Sequence, residues 1–397
     1  MPTRVVLLGS TGSIGRQTLQ VAELLGAEIE IIGLAAGRNL ELLAEQARRF
    51  RPLLLATALP THEAAARLAP DALGAELVSA EEMASCAEAD LVVLATTGKA
   101  GLAPCLAALR AGKRLALANK EVLVMAGSVI RAERARHGAV IHPVDSEHSA
   151  LWQCLLGEGC DCASQPGANL VGLCDLTAVV RRMILTASGG AFRDRSPEEM
   201  RGVTAAQALQ HPTWLMGPKV TIDSATLVNK GLEVIEAHWL FGLPFDRVEV
   251  VIHRESVVHS LVEFVDGSVK AQLGVADMRL PIQYALTYPR RKPSGLPPLD
   301  LARIGSLTFL PVDDQRFPGF RLAVEAGRRG ATYPAVMAAS DEVAVDLFLR
   351  DRIGFADIPN LIDRVLQAHE PVGNPRLADI LQADEWARRK CLELAGA

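Results

Sequence analysis

The sequence has few aromatic residues, little excess of either charge sign and no long hydrophobic run. Only 4% of its 397 residues are aromatic, and its formal net charge is −5. A chain with this charge offers no strongly basic surface to nucleic acid or to an anionic membrane. No apolar stretch approaches the ~20 residues that a membrane-spanning helix requires. We therefore expect neither nucleic acid nor a membrane as a partner.

The seven cysteines are an odd number, and their spacing matches no familiar metal site. Four of them crowd into one segment: Cys154, Cys160, Cys162 and Cys174. We expect this segment, near residues 157–182, to contain a surface insertion. The chain begins with a strand-like stretch and no leader pattern, which predicts free thiols in a reducing cytoplasm.

Residues 1–148 alternate between short apolar runs and helical patterns. Continuous apolar runs are typical of strands that are buried on both faces of a sheet. The predicted strands are Val5–Gly9, Ile29–Ala35, Leu53–Thr57, Leu91–Thr96, Arg114–Ala118 and Ala139–Val144. The alternation predicts an α/β domain with a Rossmann-like, doubly wound parallel sheet.

A glycine-rich turn follows the first predicted strand and opens the first helix. Gly9, Gly12 and Gly15 have the spacing G-x-x-G-x-x-G, a variant of the dinucleotide-binding fingerprint. The second strand ends in Gly37-Arg38-Asn39, without the acid that usually holds the ribose hydroxyls of NAD. Because Arg38 could bind an extra phosphate, the sequence predicts NADPH as the cofactor.

Polar residues follow two later strands at their carboxyl ends, where doubly wound sheets bind ligands. Asp145 and Glu147 are two residues apart, so an extended chain would point both carboxylates the same way. With Glu233 as a third partner, they would form a site for a hard divalent ion, Mg²⁺ or Mn²⁺. An ordinary polar strand end is the alternative.

The stretch from Lys219 to Phe241 is predicted to be one helix, capped at Asp223 or Ser224. Its apolar stripe consists of Val228, Leu232, Ile235 and Trp239. Its other face carries Asn229, Lys230, Glu233 and Glu236. Together with Ser224, this face has groups that can bind a phosphate. The alternative is a solvated face on which Lys230 and Glu233 pair with each other.

Two further segments have features of a ligand site. A predicted strand ends at Ser188 in small residues, which allow an anion to approach the backbone. The loop near residues 204–218 is punctuated by Pro and Gly and carries His211 and Trp214, which predicts a lid. A packed surface loop is the alternative for that segment.

Later segments predict an antiparallel sheet and then helices. The strands are Val248–His253, Val257–Phe264 and Ser268–Leu273. His253 and His259 lie in this sheet, and we expect them to be structural. The helices are Arg321–Arg328, Pro334–Arg350, Ile358–Ala368 and a stretch from Leu377, with no polar cluster that predicts a site.

We therefore divide the chain into three domains and a linker. An NADPH-binding domain spans residues 1–148, and a central α+β catalytic domain with the lid spans 149–288. A proline-rich linker covers 289–312, and a small helical domain covers 313–397.

The motifs together resemble one enzyme family, 1-deoxy-D-xylulose 5-phosphate reductoisomerase, over nearly the whole chain. They are GSTGSIG, LANKE, VDSEHSA, LTASGG, the HPxWxMG loop, TIDSATLVNKGLEVIEA and ADMRLPIQYAL. The resemblance implies rearrangement and NADPH-dependent reduction of that sugar phosphate to 2-C-methyl-D-erythritol 4-phosphate, in the non-mevalonate isoprenoid pathway. It also implies a homodimer, and inhibition by phosphonates that carry a hydroxamate.

The resemblance assigns roles to individual residues. The metal ligands would be Asp145, Glu147 and Glu233. The substrate phosphate would meet Ser188, Ser224, Asn229 and Lys230, and the rest of the substrate would meet Lys120, Ser146, Glu147, His211, Trp214 and Glu233. Lys120, Glu147 and His211 would be catalytic. NADPH would contact Thr11, Gly12, Ser13, Ile14, Gly37, Arg38, Asn39, Asn119, Glu121 and Gly217, with Met216 near the nicotinamide.

Two other functions are weighed against this one. An NADP-dependent dehydrogenase of another phosphorylated polyol would not need three carboxylates at positions 145, 147 and 233. A non-catalytic NADPH-sensing protein would not need Lys120 or the phosphate-binding set. For the rearrangement itself we favour a retro-aldol and aldol route over an α-ketol shift.

Overall fold

The computed structural model describes residues 1–68, 74–158, 169–173 and 176–396. Cys160, Cys162 and Cys174 lie outside these ranges, as do residues 159–168 and 174–175 of the predicted insertion. No helix within the described residues is long and apolar enough to cross a bilayer.

The first sheet is parallel throughout and confirms the predicted doubly wound architecture. Its strands are β1 (Thr3–Leu8), β2 (Ile29–Ala36), β3 (Leu54–Thr57), β4 (Glu76–Leu77), β5 (Leu91–Leu94), β6 (Arg114–Leu117) and β7 (Ile141–Pro143). Their order is β4-β3-β2-β1-β5-β6-β7, so the strand order reverses beside β1. The sequence analysis missed β4 because a strand of two residues has no apolar run.

Helices connect these strands and cover the sheet. They are α1 (Ser13–Leu25), α2 (Leu40–Phe50), α3 (Thr61–Leu68), α4 (Ala80–Ser85), α5 (Leu102–Arg110), α6 (Lys120–His137) and α7 (Ser146–Leu155). The turn between β1 and α1 requires glycine at position 9, where φ is +90° and a Cβ would lie 2.4 Å from the main-chain oxygen of Ala95. The start of α1 therefore lies close to the end of β5.

The second sheet has mixed topology. Its strands are β8 (Val180–Ala187), β9 (Val248–Ile252), β10 (Val258–Phe264), β11 (Val269–Leu273) and β12 (Leu310–Pro311), in the order β11-β10-β8-β9-β12. β10 and β11 form the predicted antiparallel hairpin. The prediction for β9 was wrong, because β9 pairs in parallel with β8 and has no pairing with β10. Strand β12 pairs with β9, so the proline-rich segment 289–312 contributes to this sheet.

The helices around the second sheet are α8 (Pro197–Met200), α9 (Ala205–Ala208), α10 (Pro218–Thr226), α11 (Val228–Phe241) and α12 (Arg279–Thr287). The single helix predicted from Lys219 to Phe241 is thus two helices. Leu227 separates them with a left-handed φ of 58°. A leucine carries no sequence signal for such a break, since glycine and asparagine are the usual residues in that conformation.

The remaining helices are α13 (Leu301–Ile304), α14 (Pro318–Arg329), α15 (Tyr333–Leu349), α16 (Asp357–Gln367) and α17 (Leu377–Ala395). Helix α14 packs closely on α11, where a Cβ added to Gly231 would lie 2.5 Å from the Cβ of Ala323. The C-terminal helices therefore support α11 from the side that carries its apolar stripe. The four predicted C-terminal helices are confirmed within a few residues at each end.

Candidate active site

A cavity of about 360 Å³ lies beside the carboxyl ends of the parallel strands and is closed on its other side by the second sheet and α11. Sixteen of the predicted site residues line it: Gly12, Ser13, Ile14, Lys120, Glu121, Asp145, Ser146, Glu147, Ser188, His211, Trp214, Gly217, Ser224, Asn229, Lys230 and Glu233. Residues that are far apart in the chain thus share one cavity, as the sequence motifs predicted.

Five predicted cofactor residues do not line this cavity: Thr11, Gly37, Arg38, Asn39 and Asn119. Gly37, Arg38 and Asn39 are exposed just after β2, at the same edge of the sheet. Asn119 is buried, and its side-chain amide donates to Thr96 Oγ1 at 3.1 Å and to the main-chain oxygen of Gly98 at 2.9 Å. The side chain of Asn119 therefore ties β6 to the neighbouring loop.

Three carboxylates and two ammonium groups meet in the cavity. Lys120 pairs with Asp145, and its Nζ lies 3.2 Å from Oε1 of Glu233. Lys230 Nζ lies 2.6 Å from Oε1 of Glu147 and 2.5 Å from Oε2 of Glu233. Glu233 and Lys230 are only 1% and 4% exposed, so the alternative of a solvated helix face is wrong.

The pKa values in this network follow from burial and from its charges. Burial, with the carboxylate of Glu147 nearby, raises the pKa of Glu233 to about 7. Burial also disfavours ionisation of Asp145, but the positive charge of Lys120 outweighs it and lowers the pKa of that carboxyl. The two acids thus differ in proton affinity although both contact Lys120, and Glu233 retains a proton more readily than Asp145.

Asp145, His148 and Glu233 offer ligand atoms that all lie within 4.8 Å of one another. His148 Nε2 lies 2.9 Å from the main-chain oxygen of Glu233, so this nitrogen must carry the proton and Nδ1 is left without one. Glu147, the third predicted metal ligand, instead pairs with Lys230 and accepts a hydrogen bond from Ser146. Two or three carboxylate oxygens with a neutral imidazole suit a divalent cation.

Sequence analysis missed His148 as a member of this cluster. The signal available was its position three residues after Asp145 at the start of α7, which places both side chains on one side of the helix. Such spacing is common on helices, so it becomes informative only once Glu233 is known to lie opposite.

The lid loop is tied to the end of β8 through His211. His211 Nδ1 accepts hydrogen bonds from the main-chain N–H groups of Thr213 and Trp214, at 3.1 and 2.8 Å. Its Nε2 therefore carries the proton and donates to Ser188 Oγ at 2.9 Å. Burial lowers the pKa of His211 to about 4, so the ring is neutral at physiological pH.

The predicted phosphate residues lie on both sides of the break at Leu227. Ser224 is in the last turn of α10, not at a helix start as predicted, and Asn229 and Lys230 are in the first turn of α11. All three line the cavity together with Ser188. The break thus brings a hydroxyl, an amide and an ammonium group to the amino end of α11, where the helix dipole favours an anion.

The first sheet is doubly wound and has a glycine turn, and the cavity beside it holds carboxylates and lysines. These features define the class of nicotinamide-dependent oxidoreductases that can bind a metal. Family descriptions match along the chain: 1-deoxy-D-xylulose 5-phosphate reductoisomerase at residues 5–127, and two C-terminal domains of that enzyme at 141–241 and 273–390. The chain belongs to the 1-deoxy-D-xylulose 5-phosphate reductoisomerase family.

Individual relatives agree with this assignment. The family's protein from Pelotomaculum thermopropionicum is 51% identical over 97% of this chain and 96% of its own length. The one from Thermomicrobium roseum is 51% identical over 99% and 97%. Among solved structures, the enzyme from Zymomonas mobilis in complex with NADPH is 38% identical, with a TM-score of 0.87 and full coverage of both chains. A complex of the family enzyme with NADPH, fosmidomycin and magnesium gives a TM-score of 0.91 at 38% identity, covering 99% and 98%.

Proposed function

We propose that this chain rearranges 1-deoxy-D-xylulose 5-phosphate and reduces the product with NADPH to 2-C-methyl-D-erythritol 4-phosphate. This reaction belongs to the non-mevalonate pathway to isoprenoid precursors and requires a divalent metal, Mg²⁺ or Mn²⁺. The observation that carries the proposal is the shared cavity, in which the glycine turn before α1 opens onto the carboxylates and lysines. Membership of the family supplies the identity of the substrate.

The reacting end of the substrate would lie against Asp145, Glu147 and Glu233. A divalent ion bound there would polarise the ketone and the neighbouring hydroxyl. Lys120 would stabilise negative charge that develops on the substrate oxygens, since its ammonium group is buried and fixed by Asp145. Glu147 would accept the hydroxyl proton, and Ser146 would hold Glu147 through the hydrogen bond between them.

The phosphate end of the substrate would lie against Ser188, Ser224, Asn229 and Lys230. His211 already donates to Ser188 Oγ, so the lid and this end of the site are coupled. With Trp214, His211 would close over the substrate and exclude water while the reactive aldehyde waits for hydride. The neutral state of His211 at physiological pH favours this role, because a neutral ring is less costly to bury than a charged one.

NADPH would bind along the turn from Thr11 to Ile14 and against Glu121 and Gly217, with Met216 near the nicotinamide. Arg38 would meet the 2′-phosphate, because it is exposed just after β2 and no acid stands beside it. Gly37 and Asn39 would flank that phosphate. For Asn119, the hydrogen bonds of its buried side chain support an indirect role, in which it holds the loop against which the cofactor binds.

Further properties follow from family membership and remain proposals. We infer a homodimer in the cytoplasm, and inhibition by phosphonates that carry a hydroxamate, of which fosmidomycin in the related complex is an example. The free thiols of Cys86, Cys105, Cys154 and Cys391 favour a reducing compartment. We also retain the division into residues 1–148, 149–288, 289–312 and 313–397.

One assay tests the proposed function. Purified protein is mixed with NADPH, 1-deoxy-D-xylulose 5-phosphate and Mg²⁺ or Mn²⁺, NADPH oxidation is followed by absorbance, and the product is identified by NMR. We expect oxidation only when metal and substrate are both present, with 2-C-methyl-D-erythritol 4-phosphate as the product. Metal-independent oxidation, or a product with an unrearranged carbon chain, would instead identify a simple dehydrogenase.

A further inference from the structure

A second polar cluster borders the active-site cavity, where the C-terminal helices meet α10. It consists of Lys219 and Asp223 on α10, Asp341 on α15 and Glu121 at the start of α6. We call this set the Lys219 cluster. The C-terminal helices contribute only Asp341 to it, and a single aspartate in a helix gives no sequence signal until its partners are known.

Lys219 is the centre of the cluster. Its Nζ lies 2.5 Å from Oδ2 of Asp223, 2.8 Å from Oδ2 of Asp341 and 3.8 Å from Oε1 of Glu121. The Asp341 side chain is fully buried and that of Asp223 is 1% exposed. A buried carboxylate is costly unless it is paired, so this arrangement fixes the position of α10 relative to α15.

The two aspartates have one ammonium group between them. Among the described residues, Oδ1 of Asp223 and Oδ1 of Asp341 are buried without a hydrogen-bond partner, while Oδ2 of each carboxyl contacts Lys219. Burial and the neighbouring Asp341 raise the pKa of Asp223 well above its ordinary value. Lys219 thus holds both carboxyls, and through them it ties Asp341 of α15 to Asp223 of α10.

The cluster adjoins the substrate site through α10. Asp223 precedes Ser224, one of the residues proposed to bind the phosphate. Val220 and Glu121 line both the active-site cavity and a second cavity of about 120 Å³ that lies on the side of the C-terminal helices. Helix α10 therefore lies between the active-site cavity and α15. A shift of α10 would move Ser224.

We propose that Asp341 is a positioning residue for the substrate phosphate: through Lys219 and Asp223 it holds α10 so that Ser224 faces the phosphate. The proposal rests on the proposed function, which assigns that end of the cavity to the phosphate. It gives the C-terminal helices a part in substrate binding although none of their side chains lines the cavity.

The neighbouring residue Glu342 provides a matched control. It lies on the same helix and pairs with Arg388 of α17, but it has no ion pair with α10 among the described residues. A change at Glu342 therefore loosens α15 from α17 without removing a partner of Lys219. Arg388 also pairs with Asp384 on its own helix at 3.0 Å, and Asp384 pairs with Lys99 at 2.7 Å, so Arg388 keeps a partner when Glu342 is changed.

The test compares Asp341→Ala, Asp341→Asn and Glu342→Gln in the full-length protein, with Mg²⁺ present. For Asp341→Ala we expect the KM for 1-deoxy-D-xylulose 5-phosphate to rise about tenfold, because a small displacement of Ser224 weakens binding of the substrate. We expect kcat and the Kd for NADPH to change less than about twofold. Asp341→Asn should restore the KM, because an amide can accept from Lys219 and donate to Asp223. Glu342→Gln should lower the Tm without changing the KM.

Should Asp341→Ala fail to fold, Lys219→Met removes the other partner and should raise the same KM. The proposal is overturned if the folded Asp341 or Lys219 variant keeps the KM of the wild type. It is also overturned if Glu342→Gln raises the KM equally, because the effect would then follow from any loosening of α15 and not from the contact of Asp341 with Lys219. A wild-type protein that does not turn over the substrate would refute the proposed function instead, and the two failures are therefore distinct.

Discussion

The ammonium nitrogen of Lys230 lies 2.6 Å from a carboxylate oxygen of Glu147, 83 residues earlier in the chain. Lys230 was assigned to the substrate phosphate, and Glu147 was assigned to the metal. Their ion pair joins the two ends of the candidate site, so an anionic ligand would compete with Glu147 for the ammonium group of Lys230. Removing the Lys230 side chain should therefore weaken binding of an anion at the phosphate end and strengthen binding of a cation at the metal end.

Lys230→Ala should weaken binding of a phosphonate-hydroxamate inhibitor by ~2–4 kcal/mol, about thirtyfold to a thousandfold, because a charge-assisted contact to a desolvated anion is lost. The affinity for NADPH should hardly change. Calorimetric titration of the inhibitor, with NADPH and metal present, measures the difference. Metal affinity should rise, since Glu147 and Glu233 lose a competing cation.

Lys390→Ala is the matched control for this experiment. Lys390 pairs with Glu393 three residues later on α17, as Lys230 pairs with Glu233 on α11, but Glu393 is exposed. The control should leave inhibitor affinity unchanged. If inhibitor affinity falls by less than about fivefold in Lys230→Ala, Lys230 only balances the negative charge of the carboxylates, and the phosphate binds elsewhere.

Asp145→Asn and Glu233→Gln should each reduce turnover by about 100-fold or more, because an amide keeps the shape of a carboxylate but is a much weaker ligand for a divalent ion. NADPH should still bind, as judged by its fluorescence. Chelation of the metal in the wild type should have the same effect and should be reversed by adding Mg²⁺ or Mn²⁺. Near-normal activity of either variant at saturating Mn²⁺ would rule out the carboxylate metal site.

Arg38→Asp should weaken NADPH binding by ~1.5–3 kcal/mol, the scale of one charge-assisted contact. Arg48→Asp is a suitable control, since Arg48 is also exposed in the same domain but lies at the far end of α2. Both variants are titrated with NADPH under identical salt conditions. An unchanged Kd in Arg38→Asp, or an equal change in both, would show that Arg38 does not bind the 2′-phosphate.

The low pKa of His211, about 4, predicts a pH effect on stability. The unfolded ring has its ordinary pKa near 6.5, so the unfolded state binds a proton first as pH falls. The contribution of the neutral His211 ring to the free energy of unfolding is therefore fully present above pH ~6.5 and is lost as the pH falls from there towards 4. Since His211 is only partly buried, we expect a contribution of about 1 kcal/mol at pH ~5.

Urea unfolding of the wild type and of His211→Asn, at about pH 7.5 and about pH 5, measures this contribution. Asparagine can donate and accept hydrogen bonds but does not titrate in this range. The wild type should lose more stability on acidification than the variant. Equal losses would mean that the folded ring titrates near its ordinary pKa and that the lid is open to solvent.

The prediction of a surface insertion is wrong for Leu170, Val171 and Leu176, which are buried in the core. For Cys160, Cys162 and Cys174 it stays a prediction, because they lie outside the described residues. Replacing all three with serine should change neither activity nor metal content, since their spacing fits no zinc site. Elemental analysis and the NADPH assay together test this. Loss of a stoichiometric zinc on replacement would identify a structural metal site.

Local sequence predicted the fold class, the family and the NADPH and metal requirement, and the comparisons confirm these. The buried strands of the first sheet are visible as apolar runs, and the glycine turn before α1 is visible as a spacing, because both depend on neighbours along the chain. The assigned roles of single residues remain predictions. Their shared position around one cavity agrees with those roles and leaves them to be tested by substitution.

Other features depend on contacts between distant segments, and only the tertiary structure decided them. The parallel pairing of β9 with β8 and the break at Leu227 have no local signal, since a strand pattern does not specify its partner and leucine rarely adopts positive φ. His148 joins the carboxylates only because α11 lies opposite α7, and Asp341 reaches Lys219 only because α15 packs on α10. The sequence by itself determined which chemical groups are present, and tertiary packing decided which of them are buried together and so which charges interact most strongly.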